Sequence, residues 1–346
     1  MSQMLEEIRQ QPDALEKSLE GGRRRAEQFK KLLEKRRPRL IVLAARGTSD
    51  NAALFGRYLL EILTGIPVSL AAPSIETLYH AKVDYRESLV VAISQSGEST
   101  DTNLVLERAR ESGALTLGIT NDRGSSLARL AEHVFLVRAG KERSVAATKT
   151  YTGQMMMLYL LAYSLGGRVR MADLERLPQL TAESLALEEE VAVLANRCRY
   201  MRHAVVVGRG LNYANAFEMA LKLMETCYVV AERFSSADFL HGPIAMAEPS
   251  FPVFAFAPPD VTWNSMEQTL AKLQMQRAEI VAVTDPGNPA AAARATRVIR
   301  LRRRIPALLT PIPYIVPAQL FAARLAEEKG LDPDRPRTLS KVTMTL

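Results

Sequence analysis

The sequence predicts an α/β protein of two tandem domains, each a parallel sheet with helices on both faces. Unbroken apolar runs bounded by turn residues recur along the chain. Leu89-Val90-Val91-Ala92-Ile93 is one, and such a run is the pattern of a strand buried on both faces. These runs alternate with segments of helical spacing, and strand alternating with helix implies parallel pairing through right-handed crossovers. The design is also written twice. "LIVLAARGTSDNAALFGRYLLE" and "HAVVVGRGLNYANAFEMALKLME" both read buried strand, Arg-Gly turn, polar linker and Ala-rich amphipathic helix. Aligning Arg46-Gly47 with Arg209-Gly210 puts Ser94 opposite Ala257, and the register continues through a second strand, loop, helix and strand. A chain of 346 residues is long enough for two such domains.

In chain order, residues 1–38 read as an N-terminal helical segment. "MSQMLEEIRQQPDALEKSLE" is acidic and amphipathic, unlike a secretory leader. In "GGRRRAEQFKKLLEKRRPRL" the basic residues interleave with Ala, Phe and Leu, as on the solvated face of a helix. Residues 39–180 form the first domain and 181–330 the second, which opens with a long helix, "AESLALEEEVAVLANRC". Residues 331–346 are a tail in which Pro336, Leu339, Val342 and Met344 suggest docking rather than fraying.

The net charge of +7 raises the question of nucleic acid. No aromatic stacking platform accompanies the basic run, so a small anionic substrate is the expected partner and nucleic acid is not. Apolar stretches such as "QMMMLYLLAYSLGG" are too short to span a membrane, and the expected location is the cytoplasm. Cys198 and Cys227 lack CxxC spacing, and His80, His133, His203 and His241 are scattered, so neither a disulfide nor a metal site is expected.

The first domain carries "ISQSGESTDT" where a core strand turns into a helix. A helix N-terminus presents unpaired N–H groups and partial positive charge, which favour an anion. The hydroxyls of Ser94, Ser96 and Ser99 and the amide of Gln95 add donors, and Gly97 lets the backbone close in. One helix needs one cap, whereas Ser94, Ser96, Ser99, Thr100 and Asp101 all stand here, so the loop reads as a phosphate cup. The second domain has "APPDVT" at the equivalent place, where prolines remove donors. There is no P-loop, and "VVVGRGLNYA" has Tyr213 where a dinucleotide fingerprint needs its third glycine.

Lys222 and Glu225 are three apart on "ANAFEMALKLMETCYVV" and share a helix face. An exposed salt bridge is the ordinary reading. The helix is nonetheless apolar nearly all round, which predicts burial and a pair of charges suited to acid–base work. A single histidine such as His241 in "DFLHGP" is more often a structural hydrogen-bonding residue than a catalyst, and Lys341 sits in the basic tail "DRPRTLSKVTMTL".

Together "RGTSDNAA", "ISQSGESTDT", "ERSVAATKTYTGQ", "ALKLMET", "FLHGPIAM" and "PRTLSKVTM" closely resemble the double sugar-isomerase (SIS) domain family. The chain is similar over nearly its whole length to the isomerase portion of glucosamine-6-phosphate synthase. The resemblance implies a pair of flavodoxin-like domains that bind a hexose or hexosamine 6-phosphate without cofactor or metal. By that resemblance Ser94, Gln95, Ser96 and Ser99 hold the phosphate, with Thr48 and Ser49 beside them. Val145 and Ala147 match sugar-lining positions, Ala147 replacing a serine. Glu225 would carry the proton between C1 and C2 with Lys222 assisting. His241 would open the ring, reaching across from the neighbouring subunit of a homodimer. Lys341 would close over the substrate and form an imine, with Arg337 and Lys222 favouring the loss of its proton.

The chain starts Met1-Ser2-Gln3 rather than with the cysteine of a glutamine-hydrolysing domain. "RGTSDNAALFGRYLLE" and "AAPSIETLY" look like stand-alone deaminases. The expected reaction is conversion of glucosamine 6-phosphate to fructose 6-phosphate and ammonia. Alternatives are ketose–aldose isomerisation, galactosamine-6-phosphate deamination, a deglycase that cleaves an amine adduct of a sugar phosphate, and the isomerase half of an aminotransferase. A sugar-phosphate-sensing module is the non-enzymatic alternative. It is disfavoured because the first core strand begins near Leu40, leaving room for only one or two helices ahead of it.

Overall fold

Strands form where the apolar runs lie. The computed structural model describes residues 2–341. Val342 and Met344, expected to help dock the tail, lie outside the described residues. Contacts divide the chain into two units. The first comprises Gln10–Arg143, Ala147–Pro178 and the tail from Thr338; the second comprises the N-terminal segment through Arg9, Ser144–Ala146 and Gln179–Arg337.

In the first unit, β1 (Leu40–Ala45), β2 (Val68–Leu70), β3 (Ser88–Ser94), β4 (Leu115–Thr120) and β5 (His133–Leu136) pair in parallel in the order β2-β1-β3-β4-β5. In the second, β6 (His203–Gly208), β7 (Val230–Ser235), β8 (Pro252–Phe256), β9 (Glu279–Thr284) and β10 (Arg297–Arg300) repeat that order as β7-β6-β8-β9-β10. The fold is thus two tandem α/β units of flavodoxin-like topology, as the repeat predicts. In each sheet the chain steps outward to one side and then crosses back past its first strand. The carboxyl ends of β1 and β3, and of β6 and β8, are therefore the topological switch points where such folds bind ligands.

Both faces of each sheet are covered. In the first unit Val42, Ala44, Val90 and Ala92 pack with Val105, Leu106 and Ala109 of the Thr100–Glu111 helix. In the second, Val205, Val207, Val253 and Ala255 pack with Met266, Leu270 and Leu273 of the Trp263–Met275 helix. Each fully buried valine or leucine contributes about 2 kcal/mol, so these strand cores hold their loops rigidly. "QMMMLYLLAYS" belongs to the Lys149–Ser164 helix, buried on nearly every face. Among the described residues no helix is long and apolar enough to cross a membrane.

The Gln11–Lys35 helix buries Gly22, Ala26, Phe29 and Leu33 and exposes Arg23, Arg24, Arg25 and Lys31, so its basic run is a solvated face. The expected long helix at the start of the second domain is instead two, Leu177–Leu185 and Glu188–Arg197. Arg302 takes up the Ala186 carbonyl. Three successive glutamates, Glu188 to Glu190, then favour a fresh helix N-terminus, where negative charge is stabilised.

Candidate active site

The first unit's switch point is built from two strand-to-helix turns. After β1, Arg46 and Gly47 lead into the Thr48–Thr64 helix, with Thr48 half-buried and Ser49 buried. Gln154 donates its amide to the Ser49 hydroxyl at 2.9 Å, orienting it from the buried Lys149–Ser164 helix. After β3, the chain turns through Ser94 to Ser99 into the Thr100–Glu111 helix. The Ser94 hydroxyl accepts the Gly97 N–H at 3.1 Å, and the Ser96 hydroxyl accepts the Glu98 N–H at 3.2 Å. Ser99 occupies the N-cap position with no side-chain cap bond, its hydroxyl lying 3.0 Å from that of Thr102. A helix of twelve residues therefore starts without its usual side-chain cap, which suits an anion on its first turn.

The next loop braces this turn from behind. Gln95 accepts the Asn121 N–H at 3.1 Å through its carbonyl, and Gly97 accepts the Leu127 N–H at 3.0 Å and the Asn103 amide at 3.1 Å. Arg46 ties the two turns together. Its Nε and Nη2 donate to one oxygen of Asp101 at 3.0 and 2.6 Å, and Asp101 is buried in the first turn of the second helix.

The sugar-facing candidates Val145 and Ala147 are half-buried in the irregular segment after β5, Val145 in the second unit and Ala147 in the first. Lys341, in the first unit, is 3.1 Å from the carboxylate of Glu142. Its ion-pair partner is thus a carboxylate far from it along the chain. No spacing rule links positions so far apart in the chain.

In the second unit the Tyr213–Cys227 helix carries the charged cluster. Glu218 and Lys222 are fully buried, whereas the Glu225 side chain is 23% exposed. Lys222 donates to Glu225 at 2.6 Å and lies 3.4 Å from Glu218, so one ammonium bridges two carboxylates along a helix face. The helix is not buried all round. Phe217, Leu221, Met224 and Glu225 are partly exposed, placing Glu225 where a buried ion pair meets an accessible apolar stripe. Glu218 was legible as Glu-x3-Lys-x2-Glu, a pattern that ordinarily marks a solvated face. Burial pushes the thiol of Cys227, on the same helix, up to about 11, which disfavours its thiolate form.

His241 follows the short Ser236–Leu240 helix, whose start is fixed reciprocally: the Ser235 hydroxyl accepts the Asp238 N–H at 3.1 Å and donates to its carboxylate at 2.6 Å. The His241 N–H returns to the Asp238 carbonyl, and its side chain is exposed on that turn. The second switch point offers no matching cup. Ala257, Pro258 and Pro259 follow β8, and Asp260 spends its carboxylate on the N–H and hydroxyl of Thr262.

Residues 33–164 and 199–327 each match the model described as the SIS domain. The chain belongs to the SIS domain family. Glutamine–fructose-6-phosphate aminotransferase [isomerizing] of Pyrococcus horikoshii is 36% identical over 345 residues, covering 98% of this SIS protein and 57% of that relative. The chain thus spans little more than half the length of that relative. The C-terminal domain of glucosamine-fructose-6-phosphate aminotransferase from Francisella tularensis superposes with a TM-score of 0.87 at 28% identity, over 97% of this chain and 98% of that one. Glucosamine-6-phosphate deaminase from Thermotoga maritima shares the fold, with a TM-score of 0.79 at 21% identity over 99% and 100% of the two chains.

Proposed function

We propose that this SIS protein acts on hexosamine 6-phosphates, converting glucosamine 6-phosphate and water to fructose 6-phosphate and ammonia. The observation that carries the reading is the Glu225–Lys222 pair, a partly accessible carboxylate hydrogen-bonded to a fully buried ammonium. A carboxylate placed so can take a proton from carbon and return it, and the ammonium opposes the charge that develops on the neighbouring oxygen.

In this reading the Ser94–Ser99 turn, with Thr48 and Ser49, seats the phosphate, Val145 and Ala147 line the sugar, and His241 assists ring opening to the aldehyde. Glu225 removes the C2 proton, giving an enolamine, and delivers it to C1. The C2 imine so formed takes up water and releases ammonia, leaving the ketone of fructose 6-phosphate. Lys341 meets the open-chain sugar from the tail. The functional form in this proposal is a homodimer in which His241 serves the partner's site. Family membership and the similarity to the aminotransferases support a phosphorylated sugar as substrate. The deaminating direction needs only water and the proton carrier.

The test is ammonia release from glucosamine 6-phosphate by the wild-type protein and by Glu225→Gln, which keeps the shape but cannot accept the proton. The expected result is a fall of roughly a thousandfold or more in kcat for the variant. Equal release from both would sink the assignment. Absence of ammonia, with interconversion of glucose 6-phosphate and fructose 6-phosphate, would replace deamination by isomerisation.

A further inference from the structure

The Glu142 side chain has no accessible surface. It precedes the Lys149–Ser164 helix, whose N-cap residue Thr148 makes no side-chain cap bond. The Glu142 carboxylate supplies what that cap leaves undone: Oε1 accepts the N–H groups of Thr148 and Thr150 at 2.9 and 3.1 Å, and Oε2 accepts the Thr150 hydroxyl at 2.6 Å. These are neutral donors. The remaining approach to Oε2 is taken by the Lys341 ammonium at 3.1 Å, whose side chain is 24% exposed. A buried carboxylate is costly unless an opposite charge meets it, so the site draws the tail lysine in and fixes where its amine stands. The same carboxylate closes the chain between 142 and 148, which carries Val145 and Ala147.

We infer that Glu142 is a positioning residue for Lys341: one buried carboxylate sets both the start of the Lys149–Ser164 helix and the placement of the tail amine. The catalytic consequence rests on the reading of Lys341 as a group that meets the sugar, whereas the tail attachment itself does not.

Glu142→Gln, Lys341→Met and the double variant separate the possibilities. Glutamine keeps an acceptor oxygen for the Thr148 and Thr150 amides but loses the charge that holds the lysine. Trypsin cleavage after Arg337, read by mass, is expected to quicken several-fold in Glu142→Gln and Lys341→Met while cleavage elsewhere stays at the wild-type rate. With glucosamine 6-phosphate, each single variant is expected to lose roughly tenfold to a hundredfold in kcat with a smaller change in KM, and the double variant to be no worse than Lys341→Met. Multiplying losses would show that Glu142 acts on its helix alone and overturn the inference. Should no sugar phosphate be turned over, the proposed reaction fails, and the tail cleavage still decides: unchanged cleavage after Arg337 overturns the positioning role, and selective acceleration upholds it. Should Glu142→Gln not fold, unchanged cleavage in Lys341→Met gives the same refutation.

Discussion

At the scale of single residues, the proposed phosphate loop depends on one backbone geometry. Gly97 has φ of +70°, and a Cβ built there would lie 2.2 Å from the Ser125 hydroxyl and 3.0 Å from that of Thr120. Both the backbone angle and the space therefore demand glycine, since a side chain in the left-handed region costs about 1 kcal/mol before any clash. Any shift would also break the bond from the Gly97 N–H to Ser94, which shapes the cup. Gly97→Ala is expected to raise KM for the sugar phosphate at least tenfold and to weaken competition by inorganic phosphate in parallel, with kcat less affected. A variant with unchanged KM and unchanged phosphate competition would remove the phosphate from this loop. The cluster of hydroxyls was readable in the sequence, because capping residues in such excess are unusual. Their bracing by Asn121 and Leu127 was not, since each of those bonds joins segments that only folding brings together.

At the scale of elements, the strand-turn-helix units were legible because strands buried on both faces leave continuous apolar runs. What periodicity could not show is how a helix divides its faces. The Tyr213–Cys227 helix reads as apolar all round, yet it buries Glu218 and Lys222 and leaves Phe217, Leu221 and Met224 partly exposed. Hydropathy assigns charges to water and aromatics to the core, and here an internal ion cluster reverses both. The Glu142–Lys341 pair escaped for another reason, that sequence spacing carries no information about a tail meeting a distant loop. The cluster also predicts a stability effect. Lys222→Met leaves the buried Glu218 carboxylate without its ammonium, and breaking such a pair typically costs about 3–5 kcal/mol. Urea unfolding is expected to show a loss of that order, partly recovered in Lys222→Met with Glu218→Gln, which removes the buried carboxylate as well. A Lys222→Met protein as stable as wild type would mean that the cluster is hydrated in solution.

At the scale of the whole molecule, duplication without symmetry is the informative feature. Both sheets have the same strand order, but one switch point carries the hydroxyl cup and the other carries Pro258 and Pro259, with Val261 almost fully exposed beside them. The Glu218–Lys222–Glu225 cluster and His241 lie in the second unit and the hydroxyl-rich turn in the first, so the two copies carry different candidate groups. His241 stands exposed on a turn rigidified by Ser235 and Asp238, as suits a group that serves another chain. If the protein works as the proposed homodimer, two inactive variants should complement one another. Glu225→Gln chains and His241→Ala chains, co-expressed with different tags and purified through both, yield heterodimers with one site that combines an intact Glu225 and an intact His241. Such heterodimers are expected to recover about half the wild-type ammonia release, against almost none for either parent homodimer. If His241 instead serves its own chain, every site in the heterodimer keeps one lesion and no activity returns. Failure to isolate a doubly tagged species at all would remove the dimer from the proposal.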